Sequence, residues 1–342
     1  MKNIVFLILI LIITGTVFGQ KTFDVQDFSE DYYGKVYLEQ PAEVFSKGWV
    51  AIYQKKTNKQ LIKINSEELV GDTEDGKIKA NVKELPYGEQ SAIIYDDFNF
   101  DGIKDFAIMD GQNSCYHGPS FQIYLAGKAK NQFALSPSFT KLAQEYCGMF
   151  EFDKETKTLS TMTKDGCCWH QFSEYTVVNN IPKTVKIVED DAMKFPLLTT
   201  TTQIWNGKRM VKTSERKVDF EDEGIKKLFS FKTADGREIV LFGYETMLYY
   251  AFINKSGNVD LAYPTDSTQE EPKFTVDSKE DPTAVSFTNK NAVYKIYQKS
   301  NEKVGVSVSI NGKPSEISGD INSVTGSLRT IADGSFDNVN FK

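Results

Sequence analysis

The plainest chemistry in this sequence is a run of oxygen-bearing residues, Asp96-Asp97-Phe98-Asn99-Phe100-Asp101-Gly102-Ile103-Lys104-Asp105. Counted from Asp97, side-chain oxygens fall at positions 1, 3, 5 and 9, with glycine at 6, which is the opening of a calcium loop. Alternate residues turn their oxygens toward one centre as such a loop curls. Gly102 permits the sharp turn, and the Ile103 carbonyl supplies the position-7 ligand. Hard carboxylate and carbonyl oxygens suit Ca²⁺ and not a soft metal. The expected ligands are therefore Asp97, Asn99, Asp101, Ile103 and Asp105. Position 12 is Ile108, where a helix-loop-helix calcium hand carries a bidentate Glu. Phe106–Met109 reads instead as a strand entering a core, so the ion is expected to be structural, with affinity on the order of 10⁻⁴–10⁻⁶ M. Acids packed into one turn aim at one centre, which suits an ion better than the two faces of a glycosidic bond.

A second stretch, Gly111–Ser120, is a polar loop between two apolar strands, and it carries Ser114, Tyr116 and His117. A loop of this kind on a rigid sheet is suited to partner contact. Serine, histidine and acids lie close together in sequence, yet no Gly-x-Ser-x-Gly elbow is present, so no nucleophile is assigned and no catalytic residue is expected. A third stretch, Asp165–Phe172, sets Trp169, His170 and Phe172 after a turn; its aromatics read as core or platform. His117 and His170 are the only histidines, which speaks against a histidine-rich metal site.

These residues need elements to hold them, and the chain supplies strands. It has 342 residues, 24 Phe and 16 Tyr, and a formal charge of −7. The aromatic content leans toward β structure, and the mild acidity argues against a nucleic-acid partner. Trp49–Tyr53, Leu61–Ile64, Phe121–Leu125, Phe150–Phe152, Leu159–Met162, Tyr175–Val178 and Val185–Val188 are short apolar or alternating runs. Turn signals separate them, among them Lys55–Lys59, Asp165-Gly166 and Asn179-Asn180. A short helix is expected over Ser138–Glu145. Thr199–Glu223 reads as a strand pair and then a linker. A second β region follows in Leu228–Lys232, Glu238–Phe242, Met247–Ile253, Val293–Tyr297 and Val304–Ile310, with a hairpin at Asn311-Gly312 and a long solvent loop over Pro264–Pro282. The expected fold is all-β, with antiparallel propeller-like or sandwich sheets and a second, smaller C-terminal β domain.

Lys2, the apolar run Ile4–Ile13 and Val17-Phe18-Gly19 have the layout of a secretory signal peptide. The division is then 1–19 signal peptide, 20–220 calcium-binding domain and 225–342 C-terminal domain. No cysteine follows the apolar run and no later segment is long enough to span a bilayer, so a periplasmic or secreted protein with no membrane span after cleavage is expected. In that compartment the four cysteines, Cys115, Cys147, Cys167 and Cys168, read as disulfides. Extended neighbours point to opposite faces, so Cys167 and Cys168 are each expected to pair with one of Cys115 and Cys147.

Residues 90–190 resemble a bacterial envelope family of calcium-binding, propeller-like β proteins. That family includes the immunity protein guarding against a peptidoglycan-cleaving effector of type IV secretion. The resemblance rests on Asp97–Asp105 with Phe106-Ala107-Ile108, on Tyr116 to Gly118, on Tyr124-Leu125, on Phe150-Glu151-Phe152 and Leu159-Ser160, and on Gly166 to Trp169-His170 and Tyr175-Thr176-Val177. It implies inhibition of a lysozyme-like muramidase by a loop tyrosine, which Tyr116 matches best. The leading expectation is thus a non-enzymatic lysozyme inhibitor (immunity protein). The alternative is a carbohydrate- or protein-binding adhesion module acting on some other envelope partner, with exposed aromatics near Trp169 and Tyr249-Tyr250.

Overall fold

The computed structural model describes residues 21–25, 28–71, 73–74, 77–78, 80–81, 91–265, 273–277, 283–299 and 303–342. The expected signal peptide lies outside them. The chain is all-β, and it packs as two compact units. One runs to Thr161 and takes in Thr176–Lys183; the other comprises Met162–Tyr175 and Thr184–Lys342. Among the described residues no helix is long and apolar enough to cross a membrane.

Alternation builds the first sheet. In Tyr32–Leu38 every second residue is buried, so Tyr32, Val36 and Leu38 share the inner face. This strand lies in a four-stranded antiparallel meander with Thr22–Val25, Ser46–Gln54 and Gln60–Leu69. A second four-stranded meander follows: Ile93–Asp96, Asp105–Ser114, Gly118–Ala126 and Phe133–Leu135. Neighbours in sequence are neighbours in space in both, the pattern of a propeller blade. The continuous apolar run Phe106–Met109 has no exposed surface. It is a strand buried on both faces, which is why it does not alternate.

Phe106 also anchors an aromatic cluster. Its ring lies 4.6 Å from Tyr95, 4.8 Å from Phe133, 5.5 Å from Tyr32 and 6.2 Å from Phe28. Such pairs add about 0.5–1.5 kcal/mol each beyond the area they bury. The expected short helix forms over Pro137–Leu142, opened by proline and buried through Phe139 and Leu142.

A six-stranded meander comes next: Glu151–Asp153, Thr158–Asp165, Trp169–Val178, Ile181–Lys194, Leu197–Trp205 and Met210–Val218. The connection at 219–224, where the sequence suggests a domain boundary, is the turn into the next sheet. That fourth sheet holds Ile225–Lys232, Glu238–Tyr244, Met247–Ile253, Val259–Tyr263 and, from the far end of the chain, Thr325–Gly326. The fifth holds Phe274–Asp277, Thr283–Asn289, Ala292–Lys299, Lys303–Ile310 and Lys313–Ser318, with Val339–Phe341 added in parallel beside Phe274–Asp277. Phe229, Phe231, Leu241 and Tyr250 of the fourth sheet pack on Phe274, Phe287, Ile296 and Val306 of the fifth, a sandwich-type core. The opposite face of the fourth sheet is covered too, with Val240, Phe242 and Tyr249 against Leu197 and Val218.

Two expectations are corrected here. Phe274–Asp277 lies inside the segment expected to be a solvent loop, yet it is a strand, because Phe274 and Val276 are fully buried and it has partners on both sides. Tyr249 and Tyr250 are 2% exposed, so they are core residues of two opposite faces and not a binding platform.

The fifth sheet carries a pH-sensitive contact. Tyr297 donates its hydroxyl to Glu316. Burial, and then this hydrogen bond and the carboxylate charge, push the phenol up to about 12. The folded state thus holds this proton more tightly than the unfolded chain. The stabilisation is complete below pH 10 and is lost as pH rises to about 12, at roughly 1.4 kcal/mol per pH unit. Denaturant titrations should show that decline in the native protein and a shallower one in Tyr297→Phe.

Candidate functional site

The loop expected to bind calcium is a compact turn closed by its own side chains. Asp97 accepts the N–H of Asp101 through Oδ1 at 3.1 Å and that of Gly102 through Oδ2 at 2.8 Å. Asn99 Oδ1 accepts Asp101 N–H at 3.3 Å, and Asp101 Oδ1 accepts Ile103 N–H at 2.8 Å. Gly102 sits at φ 88°, a conformation that glycine adopts without steric cost. Phe98 fastens the loop from below: it is fully buried, 5.7 Å from Phe150 and 5.3 Å from Phe152.

Asp105 opens the following strand and is fully buried. Its two oxygens accept Phe98 N–H at 3.0 Å and Ala126 N–H at 2.8 Å. Burial first, and the charges of Asp101 and Asp97 after it, raise its carboxyl to about 7. Neighbours outside the expected ligand set complete the site. Asn99 Nδ2 donates to Asn180 Oδ1 at 3.1 Å and to Asp101 Oδ2 at 2.9 Å. Asp96 pairs with Lys154 at 2.6 Å. The Asn99–Asn180 contact spans 81 residues, and no local pattern announces it.

Among the described residues no three acidic, histidine or cysteine groups stand in ready metal-binding geometry; the loop oxygens are turned to its own N–H groups. The donor set nevertheless fits a hard cation. Asp97, Asp101 and Asp105 lie near enough for their charges to be felt at Asp105, and no lysine or arginine among the described residues pairs with any of the three.

Asp105–Ser114 then leads from this loop to the second site. Ten residues at about 3.3 Å each place its far end roughly 30 Å away. Register shifts at Met109/Gly111 and Gly111/Ser114 re-aim the strand end, as bulges do. There the chain reverses at Cys115–His117, with Gly118 N–H donating to the Cys115 carbonyl, and returns in Gly118–Ala126. Tyr116 and His117 stand at φ 53° and 58°, the positive values that both central residues of a tight hairpin turn take. Ser114 is buried, and its Oγ accepts Gly148 N–H at 3.2 Å. Cys115 is joined to Cys147.

Tyr116 is 56% exposed. His117 lies edge-on to Phe45 at 5.1 Å, and its Nε2 is 3.3 Å from Glu68. Both side chains are solvent-accessible, so the contact contributes little. Phe45, which sequence reasoning missed, reaches His117 from the turn before Ser46–Gln54, and it and Val44 are exposed. The nearby acid Asp110 is committed to Ser120 Oγ at 2.6 Å and Gln144 Nε2 at 2.5 Å.

The disulfide pairing differs from the expectation. Cys115 bonds Cys147, and Cys167 bonds its neighbour Cys168. The expectation assumed that Cys167 and Cys168 lie extended. They lie in a turn, after Gly166 at φ 61°, where adjacent side chains can reach each other. Beyond that turn His170 stacks on the exposed Phe172, while Trp169 is half-buried.

No protein-family model and no curated protein matches the sequence. Among solved structures, the chain is similar to a Xanthomonas type IV secretion system related protein at 18% identity and a TM-score of 0.45, over 56% of this chain and 92% of that one. It is also similar to prolyl oligopeptidase B from Galerina marginata, at 8% identity and a TM-score of 0.24, over 90% of this chain and 43% of the peptidase. TolB from Acinetobacter baumannii matches at 10% identity and a TM-score of 0.22, over 85% of this chain and 64% of TolB. These values describe distant structural likeness and carry nothing about activity.

Proposed function

We propose that this chain is a periplasmic or secreted binding protein without catalytic activity, stabilised by Ca²⁺, whose Ser114–His117 tip docks in the cleft of a peptidoglycan-cleaving glycosidase. The observation that carries this reading is a crosslinked hairpin tip with an exposed tyrosine. Two consecutive non-glycine residues hold left-handed φ values at the apex of a hairpin, tied down by the Cys115–Cys147 bond. The same φ pair recurs at the Asn179-Asn180 hairpin turn, as tight hairpins require; what sets this tip apart is its crosslink and the exposed side chain it carries. It presents an exposed tyrosine, the kind of rigid aromatic anchor that dominates interfaces, and little conformational entropy remains to be lost on docking. Disulfides support an oxidising compartment.

The calcium ion has a scaffolding part. Asp97, Asn99, Asp101, the Ile103 carbonyl and Asp105 would hold it, and it would supply the positive charge that three neighbouring carboxylates lack. The ion sits at the start of the strand whose other end carries the tip, so it orders the docking element without touching the partner.

The test is inhibition of a lysozyme-type muramidase by the purified protein. Tyr116→Ala should weaken inhibition about 30-fold or more, since a central aromatic anchor is worth at least about 2 kcal/mol, with the melting temperature unchanged. Equal inhibition by the variant would remove the tip from the mechanism, and no inhibition by the native protein would remove the target.

A further inference from the structure

A groove of about 420 Å³ opens in the first unit between the turn at 55–59 and the turn at 127–132. Its lining includes Lys59, Gln60 and Leu61 from one sheet and Asn131, Gln132 and Phe133 from the other. Phe133 is held from behind, by Phe106 at 4.8 Å and Tyr32 at 5.5 Å.

The rim has a definite polarity. Tyr32 donates its hydroxyl to Asn131 Oδ1 at 2.9 Å, and Tyr53 donates to Gln60 Oε1 at 3.2 Å. Burial raises the Tyr32 phenol and keeps it a donor. Each amide oxygen is thus turned to a tyrosine hydroxyl, which leaves the NH₂ groups of Asn131 and Gln60 as donors. The Lys59 ammonium makes no ion pair among the described residues, and the Gln132 side chain takes no hydrogen bond among them. The same two turns carry Lys55, Lys56, Lys59, Lys128 and Lys130 in a chain whose net charge is −7. Nearby counter-charge is small: Asp31 pairs with Lys130 at 3.2 Å on the surface, and Glu30 is exposed.

A rim of donors with a local positive field selects a ligand rich in acceptors and negatively charged. Phe133 gives the C–H groups of a sugar one apolar surface to rest on, and the volume lies within the range of small-ligand sites. We infer that this groove binds an anionic saccharide, an inference that does not rest on the docking reading of the Ser114–His117 tip.

The experiment is titration of the full chain with trigalacturonic acid at low salt, followed by calorimetry and by amide resonances. The expected result is saturable binding with shifts confined to residues 59–61 and 131–133. The trimethyl ester should fail to bind. Lys59→Gln should weaken binding about tenfold or more, as loss of a charge-assisted hydrogen bond does. Gln132→Ala, at an exposed position that leaves the fold intact, should weaken it several-fold. No saturable binding, or shifts scattered over the surface lysines, would overturn the inference. So would equally tight binding of triglutamate, which would mean that the lysines gather charge without reading a sugar.

Discussion

Replacing Cys115 and Cys147 together by serine should lower the melting temperature by about 7–15 °C and abolish tip-dependent inhibition. The bond joins residues 32 apart in sequence. By the chain-entropy relation, releasing a loop of that size costs about 4 kcal/mol, and a unit of this size loses roughly 2–4 °C per kcal/mol. The local consequence is more pointed. Cys115 immediately precedes Tyr116, and Ser114 on its other side is bonded to Gly148. Without the crosslink, that hydroxyl–amide hydrogen bond, worth about 1 kcal/mol, is left with a long Cys115 N–H to Tyr146 carbonyl contact at 3.4 Å and the exposed His117 contacts to Phe45 and Glu68 to hold the tip in place. Calorimetry of the double variant checks the first effect, and muramidase inhibition the second. A shift below about 2 °C would mean that sheet pairing alone closes this loop.

Chelation is expected to give a change of similar size. If free Ca²⁺ at 100 times its Kd binds the folded chain alone, it adds about 2.7 kcal/mol, or roughly 5–10 °C in melting temperature. EDTA should remove that increment. Asp101→Ala should remove it too, while changing the melting temperature of the calcium-free protein little, because Asp101 is exposed and accepts only from Ile103 N–H and the Asn99 amide, both within the loop. Asp105 is the poorer choice, since its carboxylate also satisfies the buried N–H groups of Phe98 and Ala126. Identical thermograms with calcium and with chelator would end the calcium proposal. A calcium shift that survives in Asp101→Ala would place the ion elsewhere.

The strands were legible because their signal is local. Phe121–Leu125 alternates and forms part of Gly118–Ala126. Asn311-Gly312 takes φ 49° and 78° between Ile310 and its partner Lys313, as a tight hairpin turn requires. The candidate site was legible in its parts and not in its assembly. Spacing marked Asp97 to Asp105 and composition marked Tyr116 and His117. Neither could bring Asn180 to Asn99 or Phe45 to His117, because those contacts depend on which sheets meet.

Residue order by itself determined the all-β class, the hairpin turns and the acidic loop that opens into a buried strand, since each depends on side chains within a few positions of one another. Tertiary structure alone decided that Cys167 bonds its neighbour, that Phe274–Asp277 becomes a strand with Val339–Phe341 beside it, and that Tyr249 and Tyr250 lie inside. The reason in each case is the same. A short segment has several conformations of similar free energy, and the choice falls to distant surfaces that bury it or leave it in water.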